Sequence, residues 1–170
     1  MKQSKGRRVL GIDPGLADTG WGVLEDRDGS IFYVDHGTIK TKADRPRAER
    51  LFFILNYIRL IIEKYNPAEA AVETLYFGKN VTSAIPVAEA RGVISAALAE
   101  KGVPMQELTP NAIKMGVAGC SNADKKQVQQ MVKEILGLEK IPKPDHAADA
   151  LGAAICAINS KIKINQIPRD

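Results

Sequence analysis

The chain has 170 residues, 45% of them hydrophobic, enough for one compact domain with a substantial core. Its formal charge is +4, but four cations lie in residues 1–8 and three in residues 159–170. Without the two ends, 17 basic residues face 19 acidic ones, which excludes a global positive field as the means of holding a polyanion.

In chain order, a basic leader over residues 1–8 precedes three predicted strands, Arg8–Asp13, Thr19–Glu25 and Ser30–Lys40. The short links between them, "PGLAD" and "DRDG", are turn-rich and favour antiparallel hairpins. "RPRAERLFFILNYIRLIIEKYN" follows with Leu51, Leu55, Ile58 and Ile62 at helical spacing. "AEAAVE" reads as a buried strand ending on Glu73, and a small-residue helix follows over Val81–Lys101. After the strand "VPMQEL" come three helical stretches, "TPNAIKMGVAG", "NADKKQVQQMVKEILG" and "PDHAADALGAAICAI". No repeat or low-complexity segment interrupts this order. It predicts an α/β fold, a mixed sheet with helices on its faces, spanning residues 9–158, with a short basic tail over 159–170.

Cys120 and Cys156 are too few for a disulfide framework and show no metal-binding spacing. The leader lacks the apolar core of a signal peptide, and no run approaches a membrane span. The expectation is a reduced, cytoplasmic protein with no membrane partner.

Two predicted strands end on a carboxylate, Asp13 before Pro14-Gly15 and Glu73 before "TLYF". Ligands of open α/β sheets sit beyond the carboxyl ends of the strands, so parallel neighbours would bring Asp13 and Glu73 together there. Asp149 supplies a third acid. It points away from the apolar face formed by Ala147, Ala148, Leu151, Ile155 and Ile158, with His146 at i−3 and Asp145 at i−4. Its own face carries Ala153 and Cys156 rather than the charges of a solvated surface.

Singly, each acid has an ordinary explanation: Asp13 as a turn starter, Glu73 as a strand end, Asp149 as a lone polar residue. Together, oxygen ligands without a paired arginine suit hard divalent cations such as Mg²⁺ or Mn²⁺. Two such ions, about 4 Å apart, can hold a phosphodiester and activate water for in-line attack.

The segments "GIDPGLADTGWGV", "AVETLYFGKN", "EARG", "TPNAIKMGVAG", "NADKKQVQQMV" and "DHAADALGAAI", in this order and spacing, resemble the signature segments of RuvC-type Holliday junction resolvases. The resemblance runs from about Val9 to Ile158. It implies a ribonuclease-H-like fold with a five-stranded sheet, three antiparallel strands followed by two parallel ones. It also implies a homodimer and Mg²⁺-dependent paired, symmetric nicking of four-way DNA junctions in recombination and repair, alongside a branch-migration helicase.

By residue, the resemblance makes Asp13, Glu73 and Asp149 the catalytic carboxylates, binding two Mg²⁺ ions with Mn²⁺ as a substitute. His146 falls where relatives carry Asp or His. Spacing alone leaves His146 and Asp145 both within reach of Asp149. Charge count favours Asp145, whereas the match of "HAAD" favours His146 and leaves Asp145 as a helix start after Pro144.

Tyr76 takes the place of a base-handling aromatic, commonly Phe, with Phe77 beside it read as core. Lys114 and Lys125 match basic residues near the scissile phosphate. Ser121 departs from the pattern, standing where many relatives have a second glycine, so the resemblance leaves this loop's backbone open. The small-residue helix with Ala88, Ala90, Gly92, Ala96 and Ala97 corresponds to one that helps form the dimer.

Rival readings are a related nuclease cutting single strands, a junction-binding scaffold without catalysis, and a sugar-kinase-like phosphotransferase. The last needs a second nucleotide-binding half, for which 170 residues leave no room.

Overall fold

The computed structural model describes residues 6–74 and 81–165. Five strands form one sheet: β1 (Arg7–Asp13), β2 (Asp18–Arg27), β3 (Ser30–Lys40), β4 (Glu69–Glu73) and β5 (Met105–Leu108). Their spatial order is β3-β2-β1-β4-β5. The first three pair antiparallel, whereas β4 and β5 run parallel to β1, giving the mixed five-stranded sheet expected from the resemblance. The helices are α1 (Arg47–Tyr65), α2 (Val81–Glu100), α3 (Pro110–Ala118), α4 (Lys125–Ile135) and α5 (Asp145–Asn165). None of the described helices is long and apolar enough to cross a membrane.

Strand side chains alternate between faces, and two apolar cores follow from that period of two. On one face Leu10, Ile12, Trp21, Val23, Ala70 and Val72 meet Ile54, Ile58 and Ile62 of α1 and Ile94 and Leu98 of α2. On the other, Val9, Leu24 and Ala71 meet Ile113 and Val117 of α3, Val128 and Val132 of α4, and Leu151 and Ile155 of α5. Each large aliphatic side chain so buried contributes about 1.5–3 kcal/mol, so α5 is held mainly by its apolar surface. Between Ala147 and Ile158 every residue of α5 is buried except Asp149.

Two boundaries differ from the sequence expectation. Arg7 joins Arg8 in the first strand instead of staying in the leader, because each has acidic partners across the strands. Arg7 bridges Glu69 at 2.6 Å and Asp26 at 3.0 Å. Arg8 lies 3.3 Å from Glu25 and donates to the Tyr65 carbonyl. At the other end, α5 runs on to Asn165, past the expected end of the domain at Ile158. Asn159 donates to the Gly116 carbonyl of α3 at 3.0 Å, which ties this continuation to the body.

Candidate active site

Asp13 and Glu73 meet because β1 and β4 are parallel neighbours. The register pairs Ile12 with Val72, so the next residue of each strand lies side by side at the carboxyl edge, with backbones about 4.8 Å apart. Both side chains fall on the α5 face, in step with Val9 and Gly11 on β1 and with Ala71 on β4.

Helix α5 comes to the same edge by an unusually close approach. A Cβ built on Gly20 would stand 1.9 Å from the His146 carbonyl oxygen, and one on Gly11 would stand 1.9 Å from that of Ala150. A Cβ on Gly22 would strike the Leu151 side chain at 2.6 Å. Gly11 and Gly22 are direct cross-strand partners, and Gly20 pairs with Asp13 itself. Three glycines thus form a bed on which the helix backbone rests, and any side chain there would lift α5 off the sheet. That bed sets the height at which His146 and Asp149 are presented to Asp13. Sequence reasoning missed it, although glycines alternating in "TGWG" opposite the glycine of "LGID" were its signal.

The result is a compact set of ligand atoms. One donor each from Asp13, His146 and Asp149 lies within 4.8 Å of the other two. The His146 imidazole donates from Nδ1 to the Asp13 carboxylate at 2.7 Å. This hydrogen bond, outweighing partial burial, raises the imidazole above its ordinary value, with the charges of Asp13 and Asp149 adding to it. Burial likewise pushes Asp149 up, partly opposed by the Lys125 ammonium 3.0 Å away. Glu73 stands outside the set of three but within electrostatic reach. Burial first, then the negative charges of Asp13 and Asp149, push its carboxyl up to about 7.

This donor set fits a hard divalent cation. Carboxylate oxygens of Asp13 and Asp149 and an imidazole nitrogen of His146 converge, with the buried Glu73 carboxyl within electrostatic reach of them.

Lys125 is placed by a reciprocal helix cap. The Asp124 side chain accepts from the Gln127 N–H at 2.9 Å, and the Gln127 side chain accepts from the Asp124 N–H at 2.8 Å. This starts α4 at Lys125 and turns its ammonium toward Asp149. Asp145 is drawn the other way, with Lys143 at 2.7 Å and Lys125 at a longer 3.9 Å. It is His146, not Asp145, that shares the cluster with Asp13 and Asp149.

Lys114 lies apart. Cys156 bonds the Ala112 carbonyl and Asn159 that of Gly116, so α3 and α5 advance in the same direction. At 1.5 Å per residue, Asp149 then lies roughly 13 Å before the level of Lys114. The Lys114 side chain has no hydrogen-bond or ion-pair partner among the described residues. Tyr76 and Phe77 lie outside the described residues. Ser121 is no strain point: the left-handed turn after α3 falls on Gly119 at φ 74, and Ser121 is not among the residues of positive φ.

Comparison with known proteins agrees with the geometry. Residues 9–157 match the family model described as crossover junction endodeoxyribonuclease RuvC. A protein of that description from Treponema denticola is 52% identical, covering 89% of this chain and 85% of its own. One from Desulfitobacterium hafniense is 45% identical, covering 94% and 96%. Among solved structures, a Thermus thermophilus RuvC in complex with a Holliday junction substrate superposes with a TM-score of 0.86 at 32% identity, covering 92% of this chain and 96% of the other. The yeast mitochondrial Holliday junction resolvase, at 16% identity, shares the fold with a TM-score of 0.68, covering 94% and 82%.

Proposed function

The chain belongs to the RuvC family of crossover junction endodeoxyribonucleases and is a nuclease; from that premise we propose that it resolves four-way DNA junctions by paired, symmetric nicks. The observation that carries the reading is the convergence of Asp13, Glu73, His146 and Asp149 at one edge of the sheet.

In this reading Asp13, Glu73, His146 and Asp149 would hold two Mg²⁺ ions per site, with Mn²⁺ as a substitute. When bound, such ions would supply Lewis-acid polarisation of the phosphodiester and a water acidic enough to be nucleophilic at neutral pH. The protein's own groups prepare that chemistry. The glycine bed and the parallel strand ends hold the carboxylates in place. The His146 N–H orients the Asp13 carboxylate. Lys125 neutralises Asp149 and offers an ammonium to the anionic backbone. Burial and the neighbouring acids raise the Glu73 carboxyl to about 7, so a bound cation would compete with a proton there.

Tyr76 is assigned to stacking on junction bases and Lys114 to a phosphate further along the strand. A homodimer supplies two sites related by a two-fold axis, which suits a junction of near two-fold symmetry. The exposed stripe of Ala88, Gly92 and Ala96 on α2, with no heavy atom within 4 Å of a Cβ on Gly92, leaves room for a second helix to approach. The setting is cytoplasmic recombination and repair, with a branch-migration helicase as partner.

The test is a synthetic four-way junction incubated with Mg²⁺ or with chelator. Paired nicks at symmetric positions, dependent on the cation and absent from linear duplex, are expected. Cutting of single strands without a junction would instead support a general nuclease of this fold.

A further inference from the structure

We propose that the corner joining β3 to α1 is a second contact for the DNA backbone, a basic platform that receives phosphates several nucleotides from the nicked one. The inference rests on the junction-nuclease reading above and names a further part of its substrate surface.

Residues 40–50, "KTKADRPRAER", carry Lys40, Lys42, Arg45, Arg47 and Arg50 against Asp44 and Glu49, a net +3 in eleven positions. The surrounding body is net acidic, so this is a local concentration of positive charge and not part of a general one. Lys40, Lys42, Arg45 and Arg47 are all exposed. Gathering cations at the start of α1 also runs against the helix dipole, which favours acids there. Arg47 and Arg50 have partners within the fold, but the exposed Lys42 and Arg45 gain little from this placement, and such local conflicts mark functional surfaces.

The corner is fastened to the catalytic loop. The Thr41 N–H donates to the Ala17 carbonyl at 2.9 Å, and its hydroxyl donates to the Leu16 carbonyl. Arg50 Nε in turn donates to the Thr41 hydroxyl at 2.8 Å. Residues 16–18 directly follow Asp13-Pro14-Gly15, so these bonds tie the corner to the segment that leaves Asp13. The register Asp13 to Gly20 to Thr38 puts Lys40 two strands across and two residues along. That is about 12 Å at ordinary strand spacings, roughly three to four nucleotides along one strand at about 3.4 Å each, so a backbone running from Asp13 along this edge would bring phosphates of the same strand to the corner.

The charges are not all committed within the protein. The Lys42 side chain has no ion-pair partner among the described residues. Arg45 has only Glu49, one turn along and 3.7 Å away, in an exposed pair of the kind that contributes little. Arg47 bridges Glu89 on α2 and Arg50 braces Thr41, so these two have structural duties as well. Lys42 and Arg45 are the residues free to meet phosphate.

The experiment uses the full chain with a Lys42→Gln/Arg45→Gln double variant and a charge-keeping Lys42→Arg/Arg45→Lys control. Junction affinity is measured by fluorescence anisotropy across a salt series in Ca²⁺. Each lost phosphate contact lowers the slope of log affinity against log salt by about 0.9, so the double variant should lose about two. The control should keep the wild-type slope and Tm. Neutral methylphosphonates placed roughly three to five nucleotides from the nick, at about 3.4 Å per nucleotide, should weaken the wild type and leave the double variant unaffected. An unchanged salt slope, or methylphosphonates that weaken both proteins equally, would overturn the proposal and leave the corner an ordinary solvated face. Turnover at saturating junction in Mg²⁺ should match the wild type. Failure of the wild type to nick any junction would count against the nuclease reading, while the salt slopes would still decide the platform.

Discussion

The His146 imidazole lies 2.7 Å from the Asp13 carboxylate although 133 positions separate them in the chain. Asp145, one residue away from His146, faces Lys143 instead. This difference yields a direct prediction. His146→Ala should lower cleavage by at least about 100-fold, the scale of losing an acid–base or ligand group, while Asp145→Ala stays within about threefold. Because a ligand imidazole must be neutral, wild-type activity should fall as pH drops through the raised pKa of His146, and His146→Asp should move that acid limb to lower pH. Rate–pH profiles of the three proteins in Mg²⁺ and Mn²⁺ check it. A normal His146→Ala beside an inactive Asp145→Ala would reverse the assignment.

Glu73 makes the metal-free protein sensitive to pH. Its carboxyl is pushed up to about 7 from an ordinary 4.5, by burial and by the charges of Asp13 and Asp149. The folded state therefore holds this proton more tightly than the unfolded state does. The associated stability is fully present below the unfolded value and is lost as pH rises through the folded one. In chelator, wild type should lose on the order of 2–3 kcal/mol relative to Glu73→Gln between about pH 5 and pH 8. Urea unfolding of both proteins across that range checks it. Added divalent cation should restore the wild type and not the variant.

The bed beneath α5 predicts loss of activity without contact to substrate. A methyl group on Gly20 would meet the His146 carbonyl oxygen at 1.9 Å, so Gly20→Ala must move the start of α5 away from Asp13. Displacements of about 1 Å at a catalytic centre cost on the order of 100-fold. The expected result is that loss of cleavage with a protein that still melts cooperatively and still binds junction. Full activity in Gly20→Ala would show that the close approach does not position the site.

The two lysines should part company. Lys125 is 3.0 Å from Asp149, whereas Lys114 is displaced along α3. Lys125→Ala should therefore slow single-turnover cleavage by about tenfold or more, and Lys114→Ala should act mainly on binding, lowering the salt slope by about one phosphate contact. Equal losses in the chemical step would contradict the placement.

Much of this architecture was legible in the residues themselves. Strand period, turn residues and helical spacing located all five strands and the main helices, and acids at two strand ends marked the working edge. Other features depend on contacts that sequence spacing does not encode. Arg7 read as part of a basic leader because its partners, Asp26 and Glu69, lie on other strands of the sheet. His146 and Asp145 are equivalent at i−3 and i−4 from Asp149, and only the approach of β1 distinguishes them. Lys114 is close to Lys125 in sequence, but the parallel course of α3 and α5 carries it away from the acids.

If Asp13, Glu73 and Asp149 carry the chemical step rather than substrate affinity, binding and nicking separate in their variants. The most direct measurement compares Asp13→Asn, Glu73→Gln and Asp149→Asn with the wild type on one labelled four-way junction, scoring binding in Ca²⁺ and nicking in Mg²⁺. Binding should stay close to that of the wild type, since affinity comes largely from phosphate contacts, with nicking abolished in all three. Retained nicking in any two of them would contradict that role.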